Sequence, residues 1–101
     1  MTTTDHLIAQ VTQWAKDRQI IPNSTPQAQF LKTVSEVGEL ADALAKSRSN
    51  EIIDGIGDIT VTLIILAKLQ GVEFRHCLQY AYNEIKDRKG TLLPNGVFVK
   101  E

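Results

Sequence analysis

At 101 residues the chain is the length of one domain, with 43% apolar and 23% charged residues, a composition that excludes a disordered chain. Its formal net charge of −1 gives no electrostatic reason to bind a nucleic-acid backbone or an acidic membrane surface. The single cysteine, Cys77, excludes an intrachain disulfide and any CxxC metal or redox site.

The first predicted element is a helix over about 5–20. Leu7, Ile8, Val11, Trp14, Ala15 and Arg18 recur at helical spacing, and Asp5 or Thr4 supplies the N-cap. Turn residues from Ile21 to Pro26 end it. The second helix, 26–47, opens with Thr25 as N-cap and Pro26 at a first helical position, and its stripe of Phe30, Leu31, Val34, Val37, Leu40, Ala41 and Leu44 is expected to be buried. The polar cluster 47–50 separates it from a third helix, 50–70, which stops at Gly71. Ile59, Val61, Leu63, Ile64 and Ile65 have strand propensity, but a segment of some twenty residues with acids at helical intervals is a helix. It is apolar around most of its circumference and too rich for so small a core, which points to a partner subunit. A fourth helix, 73–89, carries Phe74, Leu78, Tyr82 and Ile85 on one stripe. The tail 90–101 holds Asn95-Gly96 between apolar runs, a hairpin signal. The expected architecture is a single all-α domain, a four-helix bundle completed by oligomerisation, with a short C-terminal β-hairpin.

The chemistry concentrates in acids. Glu36 and Glu39 stand at i and i+3 on the second helix, about 60° apart around it. The third helix adds Glu51, Asp54 and Asp58 among isoleucines, where ionised carboxylates are costly unless paired, hydrogen-bonded or bound to metal. An isolated ExxE is usually a solvated face. Two such groups on consecutive helices, with Gly38, Gly55 and Gly57 close by, argue for close helix approach or room for a ligand. Two antiparallel helices so decorated make an all-oxygen site that selects hard cations, chiefly Mg²⁺ with Mn²⁺ as a substitute.

Glu36-Val-Gly-Glu39-Leu-Ala, then an acidic segment ending Ile56-Gly57-Asp58, then an aliphatic helix and Ala81-Tyr82-Asn83-Glu84-Ile85-Lys86-Asp87-Arg88-Lys89, resembles the MazG-like nucleotide pyrophosphohydrolases from about 29 to 89. The resemblance implies an all-α, oligomeric, Mg²⁺-dependent enzyme that converts nucleoside triphosphates to monophosphates and pyrophosphate, a nucleotide-pool house-cleaning reaction. It makes Glu36 and Glu39 the ExxE half of the family's pattern, with one of these glutamates orienting or deprotonating the attacking water. For the ExxD half, literal matching gives Glu51 to Asp54, whereas alignment on the aliphatic helix gives Asp58. The second alignment puts Gly55 where the family often has glutamate, leaving Asp54 as its substitute. Glu51 lies two turns from Asp58, roughly 10 Å along the axis, and suits a second metal or a water better than the same ion.

The resemblance also brings Asn83 and the basic residues Lys86 and Arg88, with Lys89 beside them, toward the triphosphate. Basic residues in a last helical turn also complement the macrodipole without any function. Lys32 is either an i,i+4 surface partner of Glu36 or a phosphate ligand. Trp14 is either core or a platform for a nucleobase. Glu73-x-x-His76 is a single Glu-x-x-His, short of the pair that di-iron bundles use, and His76 reads as a surface residue. Two rival readings keep the fold without turnover: a metal- and nucleotide-binding regulatory module, and an oligomerisation module whose acids pair with Lys32 and Arg48. With no basic-then-apolar leader in the given sequence and a lone thiol, the expected location is the cytoplasm, with no membrane or nucleic-acid polymer as partner.

Overall fold

The computed structural model describes residues 2–101. It is an all-α architecture of five helices followed by a two-stranded antiparallel hairpin. Helix α1 (Thr4–Asp17) starts one residue earlier than its N-cap signals indicate, because the Thr3 side chain accepts from the His6 N–H at 3.1 Å. It also ends earlier than expected. Gln19 takes a left-handed φ of 62°, and the supposed loop winds into a short helical segment, α2 (Ile20–Asn23).

Two long helices form the body. Helix α3 (Pro26–Ala45) is capped by Thr25 Oγ1, which accepts from the Ala28 N–H at 3.1 Å, and Pro26 loses no hydrogen bond in the first turn. A connection of residues 46–48 turns the chain into α4 (Ser49–Leu69), so the two helices run antiparallel and make the dominant packing of the molecule. Their contact is lined by small residues: Thr33, Ala43, Gly55 and Thr62 are buried. The Thr33 and Thr62 hydroxyls meet there at 2.8 Å. A Cβ on Gly55 would come within 3.2 Å of Leu40 Cδ1, so this glycine permits the close approach.

That close approach leaves the large side chains outside. The stripe expected to be buried on α3 is exposed in the single chain: Phe30 keeps 57% of its surface and Leu31 70%, with Val34, Val37 and Leu44 similarly open. Among the described residues the buried apolar ones are Ala15, Ala43, Ile64, Ile65 and Ala67. The radius of gyration, 15.8 Å, exceeds the roughly 13 Å of a compact chain of this length.

Gly71, with φ of 85°, ends α4 as the sequence indicates. Helix α5 (Phe74–Ile85) stops one turn short of the expected boundary. Residues 86–89 offer no apolar stripe, and the backbone must extend to enter the hairpin of β1 (Gly90–Leu92) and β2 (Phe98–Lys100). The register pairs Gly90 with Lys100, Thr91 with Val99 and Leu92 with Phe98. The Asn95-Gly96 turn is closed by the Val97 N–H donating to Asn95 Oδ1 at 3.0 Å, and Gly96 supplies the positive φ of 89°.

Candidate active site: a carboxylate cleft between α3 and α4

Antiparallel packing brings the acids of both long helices to one place. A cavity of about 260 Å³ is lined by Glu39 and Asp42 from α3 and by Glu51, Asp54, Gly55 and Asp58 from α4. Asp42 was not singled out above, although it continues the i,i+3 series of Glu36 and Glu39 by one more step. Its carboxylate is engaged by Lys46 Nζ at 2.9 Å.

Glu36 sits at the inner end of the cluster, its side chain only 9% exposed. One oxygen, Oε1, receives Lys32 Nζ at 3.1 Å; the other, Oε2, is buried with no hydrogen-bond partner. Glu39 approaches it from one turn further on. A side-chain hydrogen bond to Glu36, followed by the charge of Glu36, raises the Glu39 carboxyl above its ordinary range.

Across the cleft the half-buried Asp58 is also raised, first by desolvation, then by the charge and hydrogen bonding of Asp54, and further by Glu36. Lys32 is raised in turn, chiefly by its hydrogen bond to Glu36 and by the charge of Glu36, with smaller contributions from Glu39 and Asp58. Residues from two helices therefore form one electrostatic cluster with a deficit of positive charge. Among the described residues, no three acids, histidines or cysteines are drawn in tightly enough to enclose an ion as they stand. The donor set is nonetheless suited to a hard divalent cation. It is all carboxylate, it contains one buried oxygen without a donor, and two members are raised above their ordinary range, Glu39 chiefly by Glu36 and Asp58 chiefly by desolvation.

Residues 24–92 match the MazG nucleotide pyrophosphohydrolase domain family. The chain belongs to that family. A curated relative, an uncharacterised 18.2 kDa protein of Haemophilus phage HP1 from its rep-hol intergenic region, is 42% identical over 73 residues. Those residues are 72% of this chain and 45% of the phage protein, so the chain spans less than half the length of that relative. Among solved structures, the fold matches a cyanophage S-2L MazG-like pyrophosphohydrolase with a TM-score of 0.71 at 22% identity, covering 100% of this chain and 99% of the other. That protein was solved with dGDP and three catalytic Mn²⁺ ions per active site.

Gly55 lines the cavity between its acids, and a Cβ built there would meet Leu40. Asp54 and Asp58 flank that position and both line the cavity. Glu51 lines it too, although Arg48 Nη1 draws on its carboxylate at 3.4 Å. Both ion pairs of the oligomerisation-module reading thus exist, yet they leave Glu39, Asp54, Asp58 and the second oxygen of Glu36 without a cation among the described residues.

The other sequence candidates fall in two further places. Asn83 and Arg88 line an open depression between the end of α5 and the hairpin, shared with Lys89 and Lys100 and with the acids Glu84, Asp87 and Glu101, and do not line the carboxylate cavity. Lys86 is the C-cap residue of α5, its N–H donating to the Tyr82 carbonyl at 2.9 Å. Trp14 is 44% exposed, with the Arg18 guanidinium 5.3 Å from its ring centroid, and it borders a depression that also touches Asp58. Glu73 is taken by Lys68 Nζ at 2.7 Å, which holds its carboxyl below the ordinary range and leaves the Glu-x-x-His pattern without a free carboxylate. No helix among the described residues is long and apolar enough to cross a membrane.

Proposed function

We propose that the chain hydrolyses nucleoside or deoxynucleoside triphosphates to monophosphate and pyrophosphate with Mg²⁺, or Mn²⁺ in its place, as a nucleotide-pool house-cleaning enzyme. The observation that carries the reading is the carboxylate-lined cleft between α3 and α4, with the buried, donorless Oε2 of Glu36 one turn before Glu39 of its wall. Membership of the MazG family supports it, as does the Mn²⁺ and dGDP occupancy of the structurally similar cyanophage protein.

Glu36, Glu39, Asp54 and Asp58 would hold the cation, with Glu51 as an outer or second-ion ligand. A divalent cation so bound would neutralise polyphosphate charge and acidify a water. Glu36 and Glu39 are the catalytic pair. Glu39 is exposed, lines the cleft and is raised above the ordinary carboxylate range by Glu36, which makes its carboxylate the more basic acceptor for a proton from the attacking water. Lys32, exposed at the rim and already oriented by Glu36, is placed to meet a phosphate oxygen. Asn83, Lys86 and Arg88, near the end of α5, are assigned to the distal phosphates on the family resemblance; Glu84, Asp87 and Glu101 share the depression that Asn83 and Arg88 line.

The reading includes assembly. A homo-oligomer, dimer or tetramer, accounts for the open apolar stripe of α3 and for the extended dimensions of the single chain. The exposed lone thiol of Cys77 suits the reducing cytoplasm.

One observation favours a second reading, a metal- and nucleotide-binding regulatory module without turnover. Position 55 lines the cleft but presents no carboxylate. A panel of nucleoside triphosphates with Mg²⁺ or Mn²⁺ separates the two. Monophosphate plus pyrophosphate supports hydrolysis, binding without products supports the regulatory module, and diphosphate plus orthophosphate overturns the reaction class.

A further inference from the structure

Two of the carboxylates that wall the cleft are held by cations from one short stretch of chain. The connection 46–48 joins α3 to α4 at the end of the cleft where Asp42 and Glu51 stand. On the α3 wall, Lys46 Nζ meets Asp42 Oδ2 at 2.9 Å; on the α4 wall, Arg48 Nη1 meets Glu51 Oε2 at 3.4 Å. The three N–H groups of the connection are all taken. Those of Lys46, Ser47 and Arg48 donate to the carbonyls of Asp42, Leu44 and Ala43, and Ser47 turns the chain with a φ of 53°. Both cations are therefore rooted in fixed backbone on either side of one opening, while their side chains stay half exposed.

Exposed ion pairs of this kind hold weakly. Phosphate oxygens compete well for both cations, with arginine as a two-pronged donor and lysine as a point charge. At the other end of the cluster are the buried Glu36, Asp58, and Glu39, which the proposed reaction uses as base. From Asp58 to Glu51 is two helical turns, roughly 10 Å. A triphosphate lying along the cleft with its reacting phosphate beside Glu39 and Asp58 brings its terminal phosphate toward the connection. Asn83 and Arg88 of α5, by contrast, line a separate depression of the single chain.

We infer that Lys46 and Arg48 clamp the terminal phosphate, exchanging Asp42 and Glu51 for it, and that this clamp makes the site select triphosphates over diphosphates. The inference rests on the nucleotide reading above and adds to it the residues that read phosphate number. The same exchange releases the Glu51 carboxylate, which that reading makes an outer or second-ion ligand, for a cation that arrives with the phosphate.

The test is calorimetric binding, with Mg²⁺, of an α,β-methylene nucleoside triphosphate, which cannot be cut at that linkage, and of the matching α,β-methylene diphosphate, which lacks the terminal phosphate. The wild type should prefer the triphosphate analogue. Lys46→Met and Arg48→Met keep an unbranched stem and drop the charge. Each should weaken the triphosphate analogue about tenfold, the lower end for hydrogen bonds to a charged group, and leave the diphosphate analogue within about twofold. Lys46→Arg should keep the preference. In turnover the loss should appear in KM with kcat nearly unchanged, because the clamp holds the terminal phosphate alike in the ground and transition states.

A wild type that binds the two analogues alike, equal weakening toward both, or triphosphate binding within about twofold of wild type in both variants would overturn the inference. So would a Lys86→Ala variant that loses the preference while Lys46→Met keeps it, since the terminal phosphate would then belong to α5. Turnover by the wild type together with any of these results leaves the hydrolase reading intact. A wild-type protein that neither binds nor cuts nucleotides sinks both.

Discussion

Replacing Glu36 by glutamine should make the metal-free protein more stable and the enzyme inactive. The buried Oε2 has no donor, and leaving a buried polar group unsatisfied costs about 1–3 kcal/mol. The compensating ion pair is with Lys32, an exposed side chain, and pairs of that kind contribute about 0.2–1 kcal/mol. The amide introduced by Glu36→Gln would remove the charge and offer Glu39 a hydrogen-bond donor. The balance favours Glu36→Gln by about 1 kcal/mol, equivalent to a rise of about 4–8 °C in Tm for a domain of this size. The assay is thermal unfolding in a chelator at fixed protein concentration, since assembly would otherwise shift Tm by mass action. Hydrolysis, measured in parallel, should fall by more than the roughly 10- to 100-fold typical of losing an outer-shell partner of a metal ligand. A Glu36→Gln variant that is less stable without metal by over about 1 kcal/mol would show that Glu36 is a structural ion-pair residue. Retained activity would remove it from the site.

Other consequences concern protons, packing and assembly. Glu39 and Asp58 both favour protonation in the fold, so without divalent cations the stability they contribute is present at low pH and is lost as pH rises through their raised values. Tm in chelator should therefore climb as pH falls from neutrality into the carboxylate range, whereas the gain in Tm from added Mn²⁺ should shrink over the same interval; parallel movement of the two curves would count against a shared carboxylate site. Thr62→Val removes the buried 2.8 Å contact with Thr33 and should destabilise by about 0.5–1.5 kcal/mol in denaturant unfolding, with KM unchanged. Sedimentation equilibrium should give a multiple of 11.2 kDa, and a monomer at micromolar concentration would contradict the assembly inferred from the open stripe of α3.

Much of this was legible from local signals. Thr25-Pro26 marks the start of α3, Gly71 the end of α4 and Asn95-Gly96 the hairpin, because each is decided by backbone chemistry within a few residues. The break after Asp17 was not, since it depends on a left-handed Gln19 that no glycine or asparagine announces. The end of α5 was missed for a different reason: the chain must extend at residue 90 to pair with residue 100, a demand imposed from outside the helix. The acids of α3 and α4 could be brought together on paper by helical spacing alone. Spacing did not reveal which of them is buried, and the orphaned oxygen of Glu36 emerges only from the packing of α4 over α3. Phe30 and Leu31 are not buried within the single chain because small residues, not large ones, line the contact between these helices. Asp42 was passed over although it continues the same i,i+3 series, and the Leu40 packing of Gly55 was invisible without coordinates.

The most direct test of the carboxylate cleft as a pyrophosphohydrolase site is ³¹P NMR of a nucleoside triphosphate incubated with Mg²⁺ and either the wild-type protein or Glu39→Gln. The wild type should convert the three triphosphate resonances into those of a monophosphate and pyrophosphate, and Glu39→Gln should leave them essentially unchanged. Orthophosphate and diphosphate as first products, or equal rates from the two proteins, would contradict the account.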